Sequence, residues 1–81
     1  MDIDGKLAVV TGAGSGIGRA LACRLVDAGA RFVVCADLDA DGALETAKLI
    51  GAGASAEHLD VADQQAIEDL VARLDAEQGG I

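Results

Sequence analysis

The stretch of sequence that decides the fold is Thr11-Gly12-Ala13-Gly14-Ser15-Gly16-Ile17-Gly18. It follows the continuous apolar run of residues 7–10, which is typical of a strand buried on both faces, and it precedes apolar residues at helical spacing. The first backbone N–H groups of a helix are free, and together with the helix dipole they favour an anion such as a diphosphate. Glycines are needed in such a turn because a Cβ would block the phosphates or the positive φ angles. The stretch therefore predicts a diphosphate-binding turn between a strand and a helix.

Two other glycine-rich motifs do not fit this stretch. A P-loop requires a Lys and a Ser or Thr after its last glycine, whereas the pair Arg-Ala follows Gly18. The common dinucleotide fingerprint G-x-G-x-x-G fails too, because no glycine lies three positions after Gly14 or Gly16. The pattern that remains is T-G-x-x-x-G-I-G, in which Gly12, Gly16 and Gly18 hold fixed offsets. Gly14 occupies a variable position of this pattern, so we expect Gly14→Ala to be tolerated better than alanine at the three fixed glycines.

Strands and helices alternate along the chain. Apolar runs predict strands at residues 7–10, at residues 32–36 and, more weakly, at about residues 55–59. The segments between these strands are long enough for a helix each, and strands that alternate with helices imply right-handed crossovers and a parallel sheet. The fold class is therefore α/β, with the first βαβαβα half of a three-layer domain and the strand order 3-2-1. In that order the first two helices cover one face of the sheet. A third crossover that returns to a fourth strand beside the first puts the third helix on the opposite face.

Glycine and aspartate residues mark the ends of the three helices. Gly29 and Gly51 are natural stops for the first and second helices. Asp39 or Asp41 can cap the start of the second helix, and Asp63 is favourably placed near the positive end of the third. The apolar stripes of the helices cover residues 17–28, 43–50 and 67–74.

An acidic residue at the end of the second strand supports the interpretation of the glycine-rich turn. Asp37 lies 19 positions after Gly18, where a dinucleotide site places a carboxylate that accepts hydrogen bonds from the adenosine ribose. A free 2′-hydroxyl donates to that carboxylate, whereas the 2′-phosphate of NADP is repelled by it. The turn contains no Lys or Arg, and Leu38 follows Asp37. These residues favour NAD over NADP, while a solvated loop residue or a helix cap is the plainer alternative for Asp37.

With these residues the chain resembles the N-terminal part of the short-chain dehydrogenase/reductase (SDR) family, NAD(P)-dependent oxidoreductases on a Rossmann fold. The resemblance rests on Asp4-Gly5-Lys6 before the first strand, the glycine-rich turn, Asp37, and Leu59-Asp60-Val61 after the third strand. It implies that Asp60 hydrogen-bonds the adenine amino group, that Val61 lines the adenine site and that Ile17 contacts the cofactor near the diphosphate. Asp60 also fits a plainer role as a cap in the region of the third helix. The expected cofactor-binding residues are Gly12, Ser15, Gly16, Ile17, Gly18, Asp37, Leu38, Asp60 and Val61.

The catalytic residues of the family have no counterpart in this chain. The family uses an Asn, a Ser and a Tyr-x-x-x-Lys pair beyond its fourth strand, and this sequence contains neither Tyr nor Asn. Ser15 lies in the predicted phosphate turn and Ser55 at a strand start, neither with a Tyr or Lys partner. Residues 78–81 resemble the family's approach to the fourth strand, so residues 1–81 are expected to be the N-terminal part of one NAD(P)-binding domain. Without the tyrosine no group moves the substrate's hydroxyl proton, and the 81 residues alone are expected to be inert.

The resemblance implies that the complete enzyme transfers hydride between NAD and a small-molecule alcohol or carbonyl substrate. It also implies a homo-oligomer for the complete enzyme. Two alternatives remain open at this point. One is a stand-alone module that binds NAD without catalysis, and the other is a structural remnant that neither binds tightly nor reacts.

The composition argues against nucleic-acid and membrane partners, and one His with two Cys cannot form the usual four-ligand structural zinc site without carboxylates. With 6 Lys and Arg against 14 Asp and Glu, and without Tyr or Trp, the chain lacks the basic surface and stacking rings that nucleic acid requires. No apolar run approaches the roughly 20 residues of a membrane span, and residues 1–4 lack a signal-peptide pattern, so a cytoplasmic protein is expected. Cys23 and Cys35 are expected to be reduced, packed thiols, and His58 a solvated or partly packed residue of an edge strand. Arg19 follows the glycine-rich turn and is expected to project into solvent, with a contact to phosphate as the alternative.

Overall fold

The computed structural model describes residues 5–78, and within them three strands alternate with three helices. In chain order the elements are β1 (Leu7–Thr11), α1 (Gly16–Asp27), β2 (Phe32–Asp37), α2 (Ala40–Ile50), β3 (Ala54–His58) and α3 (Gln64–Gln78). Every predicted element is present; the main difference is that α3 extends about one turn beyond its predicted apolar stripe at each end. Asp4 of the predicted motif and residues 79–81 of the predicted approach to a fourth strand lie outside the described residues.

The three strands form one parallel sheet in which β2 is central, and this confirms the predicted order. Leu7 of β1 lies opposite Phe32 of β2, and Val33 of β2 lies opposite Ala54 of β3. Residues 33–36 of β2 are completely buried. The central strand is a continuous apolar run because helices cover both of its faces.

Alternate side chains of β2 point into two separate apolar cores. Val33 and Cys35 pack with residues of α1 and α2 on one face of the sheet. Val34 and Ala36 pack on the other face with residues of α3, which include Leu70. Neighbouring residues of a strand face opposite sides, so one short run fills both cores. The prediction that α3 lies across the sheet from the first two helices is confirmed.

Aspartate carboxylates cap two of the three helices. Asp39, one of the two predicted candidates, caps α2: its Oδ1 accepts a hydrogen bond of 3.1 Å from the Gly42 nitrogen. Asp63 does the same for α3, with 3.1 Å from its Oδ1 to the Ala66 nitrogen. The prediction for the end of α2 also holds, since Gly51 adopts a positive φ of 96° at its C-terminus.

The two thiols are packed in the fold, and the histidine is exposed to solvent. Cys23 and Cys35 are free thiols, half-buried and buried respectively. Burial in the sheet raises the pKa of the Cys35 thiol, and the nearby Cys23 raises it further, so Cys35 remains protonated at neutral pH. His58 is exposed at the end of β3. Within residues 5–78 no helix combines the length and the apolar character that crossing a membrane requires.

The outer edge of β1 leads to a prediction about a polypeptide made of these 81 residues. Within the described sheet β1 pairs with β2 alone, and one sheet face is covered by α3 alone. An unpaired apolar edge beside a thinly covered face favours association between molecules. We expect this polypeptide to self-associate or to lose structure gradually on heating, as measured by size-exclusion chromatography and circular dichroism. A clean monomer with a sharp cooperative melt would contradict the expectation.

Candidate cofactor-binding site

The predicted site residues lie at or just after the carboxyl ends of the three strands: Asp37 ends β2, residues 16–18 begin α1, and the others lie on the loops after the strands. Because the strands are parallel, these loops meet at one edge of the sheet, where open α/β folds bind their ligands. Backbone hydrogen bonds connect the loops there. The Ala13 nitrogen donates to the Ala36 carbonyl oxygen at 3.1 Å, and the Leu59 nitrogen donates to the Asp37 carbonyl oxygen at 3.0 Å. The glycine-rich turn, the end of β2 and the start of the loop after β3 are therefore held side by side.

The Asp37 carboxylate forms hydrogen bonds to two loops at this edge. Its Oδ2 accepts a bond of 2.7 Å from the Gly14 nitrogen, and its Oδ1 accepts one of 2.9 Å from the Asp39 nitrogen. Each oxygen of a carboxylate accepts about two hydrogen bonds, so both retain capacity for further donors such as ribose hydroxyls. Asp37 is thus neither a purely solvated loop residue nor the cap of α2, since Asp39 occupies the capping position.

Hydrogen bonds keep the Asp37 carboxyl ionised. The amide of Asp39, followed by the amide of Gly14, lowers the pKa of Asp37 below its ordinary value of 3.8, against a smaller opposing effect of desolvation. A lowered pKa in the folded state means that ionised Asp37 stabilises the fold at pH values above 3.8. This stabilisation is lost as the pH falls through the lowered pKa. At neutral pH the site therefore presents a full negative charge to a ligand.

Gly14 is more constrained than its variable position in the motif suggests. A Cβ on Gly14 would lie 2.7 Å from Asp37 Oδ2 and 3.2 Å from the Ala43 nitrogen. Contacts this short force the Asp37 carboxylate or the start of α2 to move. A Cβ on Gly14 is therefore not free of contacts, because the turn packs against β2 and α2 at this residue. Its nearest contact is the end of a side chain, whereas a Cβ on Gly18 meets backbone at 1.8 Å, so the expectation that Gly14 tolerates alanine best among the four glycines stays a prediction.

The three fixed glycines of the motif are needed for two different reasons. Gly12 and Gly16 adopt positive φ angles of 69° and 56°, which L side chains rarely adopt. Within the described residues a Cβ at either position would meet no atom within 4 Å, so backbone conformation is the constraint. Gly18 is limited by space instead, since its Cβ would lie 1.8 Å from the Gly12 carbonyl oxygen. The start of α1 therefore lies directly against the turn.

The N-terminus of α1 differs from those of the other two helices. Ser15 occupies its capping position with extended backbone, yet among the described residues its side chain makes no capping hydrogen bond. The first turn of α1 also contains no acidic residue, although the chain has 14 Asp and Glu. Aspartates cap α2 and α3, so α1 alone keeps its first N–H groups and its positive dipole end available to an external anion.

Three apolar side chains at this edge are solvent-exposed. Ile17 is 89%, Leu38 64% and Val61 61% exposed. Each follows a different strand, and each was expected at the cofactor from the sequence. Their exposure leaves them available to the flat face of a base or to other apolar ligand surface.

Asp60 organises the loop after β3. Its Oδ1 accepts a hydrogen bond of 2.9 Å from the Ala62 nitrogen, and its carbonyl oxygen accepts one of 2.9 Å from the Asp63 nitrogen. The cap of α3 is Asp63, not Asp60. The exposed Asp60 side chain therefore shapes the turn that precedes the helix.

Sequence reasoning missed two residues that contact the glycine-rich turn. Arg19 does not project into solvent as expected: one terminal nitrogen of its guanidinium donates to the Gly14 carbonyl oxygen at 2.7 Å. Thr46, on α2, was not singled out; its fully buried hydroxyl oxygen lies 2.6 Å from the Ala13 carbonyl oxygen. The only trace of Thr46 in the sequence is a polar residue among the apolar positions of the α2 stripe.

Comparison with known proteins identifies the family. A family model described as short chain dehydrogenase matches residues 6–81. The chain is 47% identical over 74 residues to sorbitol dehydrogenase from Cereibacter sphaeroides, across 91% of this chain and 28% of the relative. It is 41% identical over 81 residues to galactitol 2-dehydrogenase from Agrobacterium fabrum, across 100% of this chain and 31% of the relative. The chain belongs to the short-chain dehydrogenase family.

A solved structure agrees with this assignment. The crystal structure of hydroxysteroid dehydrogenase from Escherichia coli matches with a TM-score of 0.85 at 36% sequence identity, across 95% of this chain and 34% of that one. The chain spans about a third of the length of these relatives. The SDR resemblance and the fold class, a Rossmann-like half, are confirmed. Members of this family are oxidoreductases that use a nicotinamide cofactor, NAD or NADP.

The contact between Gly14 and Asp37 predicts how the site responds to an added methyl group. We expect Gly14→Ala to lower the free energy of unfolding by about 1–3 kcal/mol, a typical cost of overpacking, and to weaken cofactor binding. Gly53→Ala is the matched control, because within the described residues a Cβ there meets no atom within 4 Å and φ is not positive. Thermal melts and cofactor titrations of both variants provide the measurement. Equal effects of the two substitutions would show that the close approach at Gly14 is unimportant.

Proposed function

We propose that this chain forms the NAD-binding part of a short-chain dehydrogenase/reductase oxidoreductase. The observation that carries the proposal is the ionised Asp37 carboxylate, held 2.7 Å from the Gly14 nitrogen of the turn that precedes α1. This hydrogen bond connects Asp37, the proposed acceptor for ribose hydroxyls, to the turn that leads into the uncapped N-terminus of α1. That N-terminus is the proposed site for a diphosphate. A dinucleotide requires both groups within reach of one another.

The residues at the sheet edge fit the adenosine diphosphate half of such a cofactor. In this proposal the first N–H groups of α1, with Gly12, Ser15, Gly16 and Gly18 forming the turn, bind the diphosphate. Ile17 contacts the cofactor near the diphosphate, and Asp37 accepts hydrogen bonds from the ribose. The adenine contacts then come from the remaining proposed residues, Leu38, Asp60 and Val61.

The same carboxylate supports NAD over NADP. A 2′-phosphate carries up to two negative charges, and binding it beside ionised Asp37 costs Coulomb energy without any compensating cation in the turn. Arg19 is the nearest basic residue in sequence, but its guanidinium contacts the Gly14 and Gly42 carbonyl oxygens and Thr46. The Arg19 guanidinium therefore binds acceptors of the protein itself, and we do not expect it to bind a 2′-phosphate.

The chemistry that we propose for the complete enzyme is hydride transfer with a small-molecule alcohol or carbonyl substrate. NAD supplies the hydride acceptor when bound. This chain contributes binding and orientation, because it contains no Tyr and no Asn of the kind that the family uses for proton transfer. A polypeptide of these 81 residues is therefore proposed to bind cofactor weakly at best and to oxidise no alcohol.

Substitution of Asp37 tests the proposed cofactor preference. Asp37→Ala in the natural full-length protein removes the ribose acceptor and the repulsion of a 2′-phosphate together. We expect the Kd for NAD to rise about tenfold and the Kd for NADP to change less, as measured by calorimetric titration. Asp41→Ala is the control, because it removes the same charge from an exposed position of α2. An unmodified protein that binds NADP as tightly as NAD would refute the role given to Asp37.

A further inference from the structure

Arg19 and Thr46 form a side-chain pair that joins α1, α2 and the glycine-rich turn. We propose that this pair is a positioning device: it fixes the direction of two successive peptide groups in the turn and thereby sets the affinity for a dinucleotide diphosphate. The affinity part of this proposal rests on the proposed function. Neither residue is proposed to touch the cofactor.

Arg19 lies in the first turn of α1 and forms hydrogen bonds to the glycine-rich turn and to α2. Its Nε donates to Thr46 Oγ1 at 2.8 Å, and one terminal nitrogen donates to the Gly14 carbonyl oxygen at 2.7 Å and to the Gly42 carbonyl oxygen at 3.3 Å. Three of the five guanidinium N–H donors are therefore bound to protein acceptors. An arginine used in this way is a rigid connector between backbone segments rather than a free cation.

Thr46 completes the connection from the buried side. Its hydroxyl accepts from Arg19 and lies 2.6 Å from the Ala13 carbonyl oxygen, to which it donates. The side chain is completely buried, so no water replaces these bonds if the hydroxyl is removed. The carbonyl groups of two successive turn residues, Ala13 and Gly14, are thus both held by this pair.

Holding a carbonyl also aims the next amide. In a trans peptide the C=O and N–H groups point in opposite directions. The bond to the Ala13 carbonyl therefore turns the Gly14 N–H toward Asp37, where it is found 2.7 Å from Oδ2. The bond to the Gly14 carbonyl turns the Ser15 N–H away from Arg19, at the capping position where α1 begins. Loss of the pair releases both peptide groups.

The test uses the natural full-length protein and compares two substitutions of Thr46. Thr46→Val keeps the shape but removes the hydroxyl, and Thr46→Ser restores it. We expect the Kd for NAD to rise about tenfold in Thr46→Val and to stay within about twofold in Thr46→Ser. In the ligand-free protein, amide hydrogen exchange of residues 13–18 should accelerate in the valine variant and not in the serine variant.

Arg19 is tested by substitution with a matched control. Arg19→Gln should raise the Kd for NAD about tenfold, while Lys48→Gln, which removes an exposed cation from α2, should leave it unchanged. Because Arg19 and Thr46 are hydrogen-bonded to each other and hold successive peptide groups of one turn, the double variant Arg19→Gln/Thr46→Val should bind NAD little worse than the weaker-binding single variant. Additive losses would instead mean that Arg19 contacts the phosphates independently, and would overturn the proposal.

The remaining outcomes separate this inference from the proposed function. Normal NAD binding by Thr46→Val with unchanged amide exchange, or a serine variant as weak as the valine variant, overturns the positioning role. Failure of the unmodified protein to bind NAD overturns the proposed function and the affinity part of this proposal. If the unmodified protein does not bind NAD, amide exchange that is faster in Thr46→Val but not in Thr46→Ser still supports the conclusion that Arg19 and Thr46 fix the turn.

Discussion

The hydrogen bond between the Gly14 amide and the Asp37 carboxylate joins the two segments on which the rest of the site depends. The turn after β1 and the end of β2 are 23 residues apart in sequence, and each alone is a short loop at the edge of a small sheet. The bond places a charged acceptor on a backbone donor, which is among the stronger classes of hydrogen bond in proteins. The Asp39 amide and, after it, the Gly14 amide lower the pKa of Asp37, so the contact that fixes the turn also favours the charged carboxylate.

Much of the fold could be predicted from the sequence, for reasons that are local. The run from Phe32 to Ala36 is apolar at every position. This pattern is typical of a strand that is covered on both faces. Glycine at position 51 marks the end of α2 because the chain there adopts a φ of 96°. The handedness of crossovers, with a fourth strand expected beside β1, then places α3 on the face opposite α1 and α2. None of these inferences needs knowledge of distant side chains.

The errors concern contacts that only tertiary packing creates. The motif gives no information about Asp37 and Ala43, which belong to other elements and which a Cβ on Gly14 would contact. Arg19 was expected in solvent because its direction depends on where α2 lies, and helix spacing alone does not give that position. The sequence signal of Thr46 is weak, since one polar residue among the apolar positions of a helix is commonplace. The position of Asp37 was predictable, but its bond to the turn was not.

The uncapped start of α1 has a consequence for the life of the protein in a cell. A capping side chain stabilises a helix by about 1 kcal/mol, and α1 lacks this contribution while α2 and α3 receive it from aspartates. An anionic ligand that binds the free N–H groups supplies the missing cap and stabilises the folded state in proportion to the logarithm of its concentration. Under the proposed function, the resistance of the folded protein to proteolysis therefore rises with the concentration of the dinucleotide that binds at this helix end.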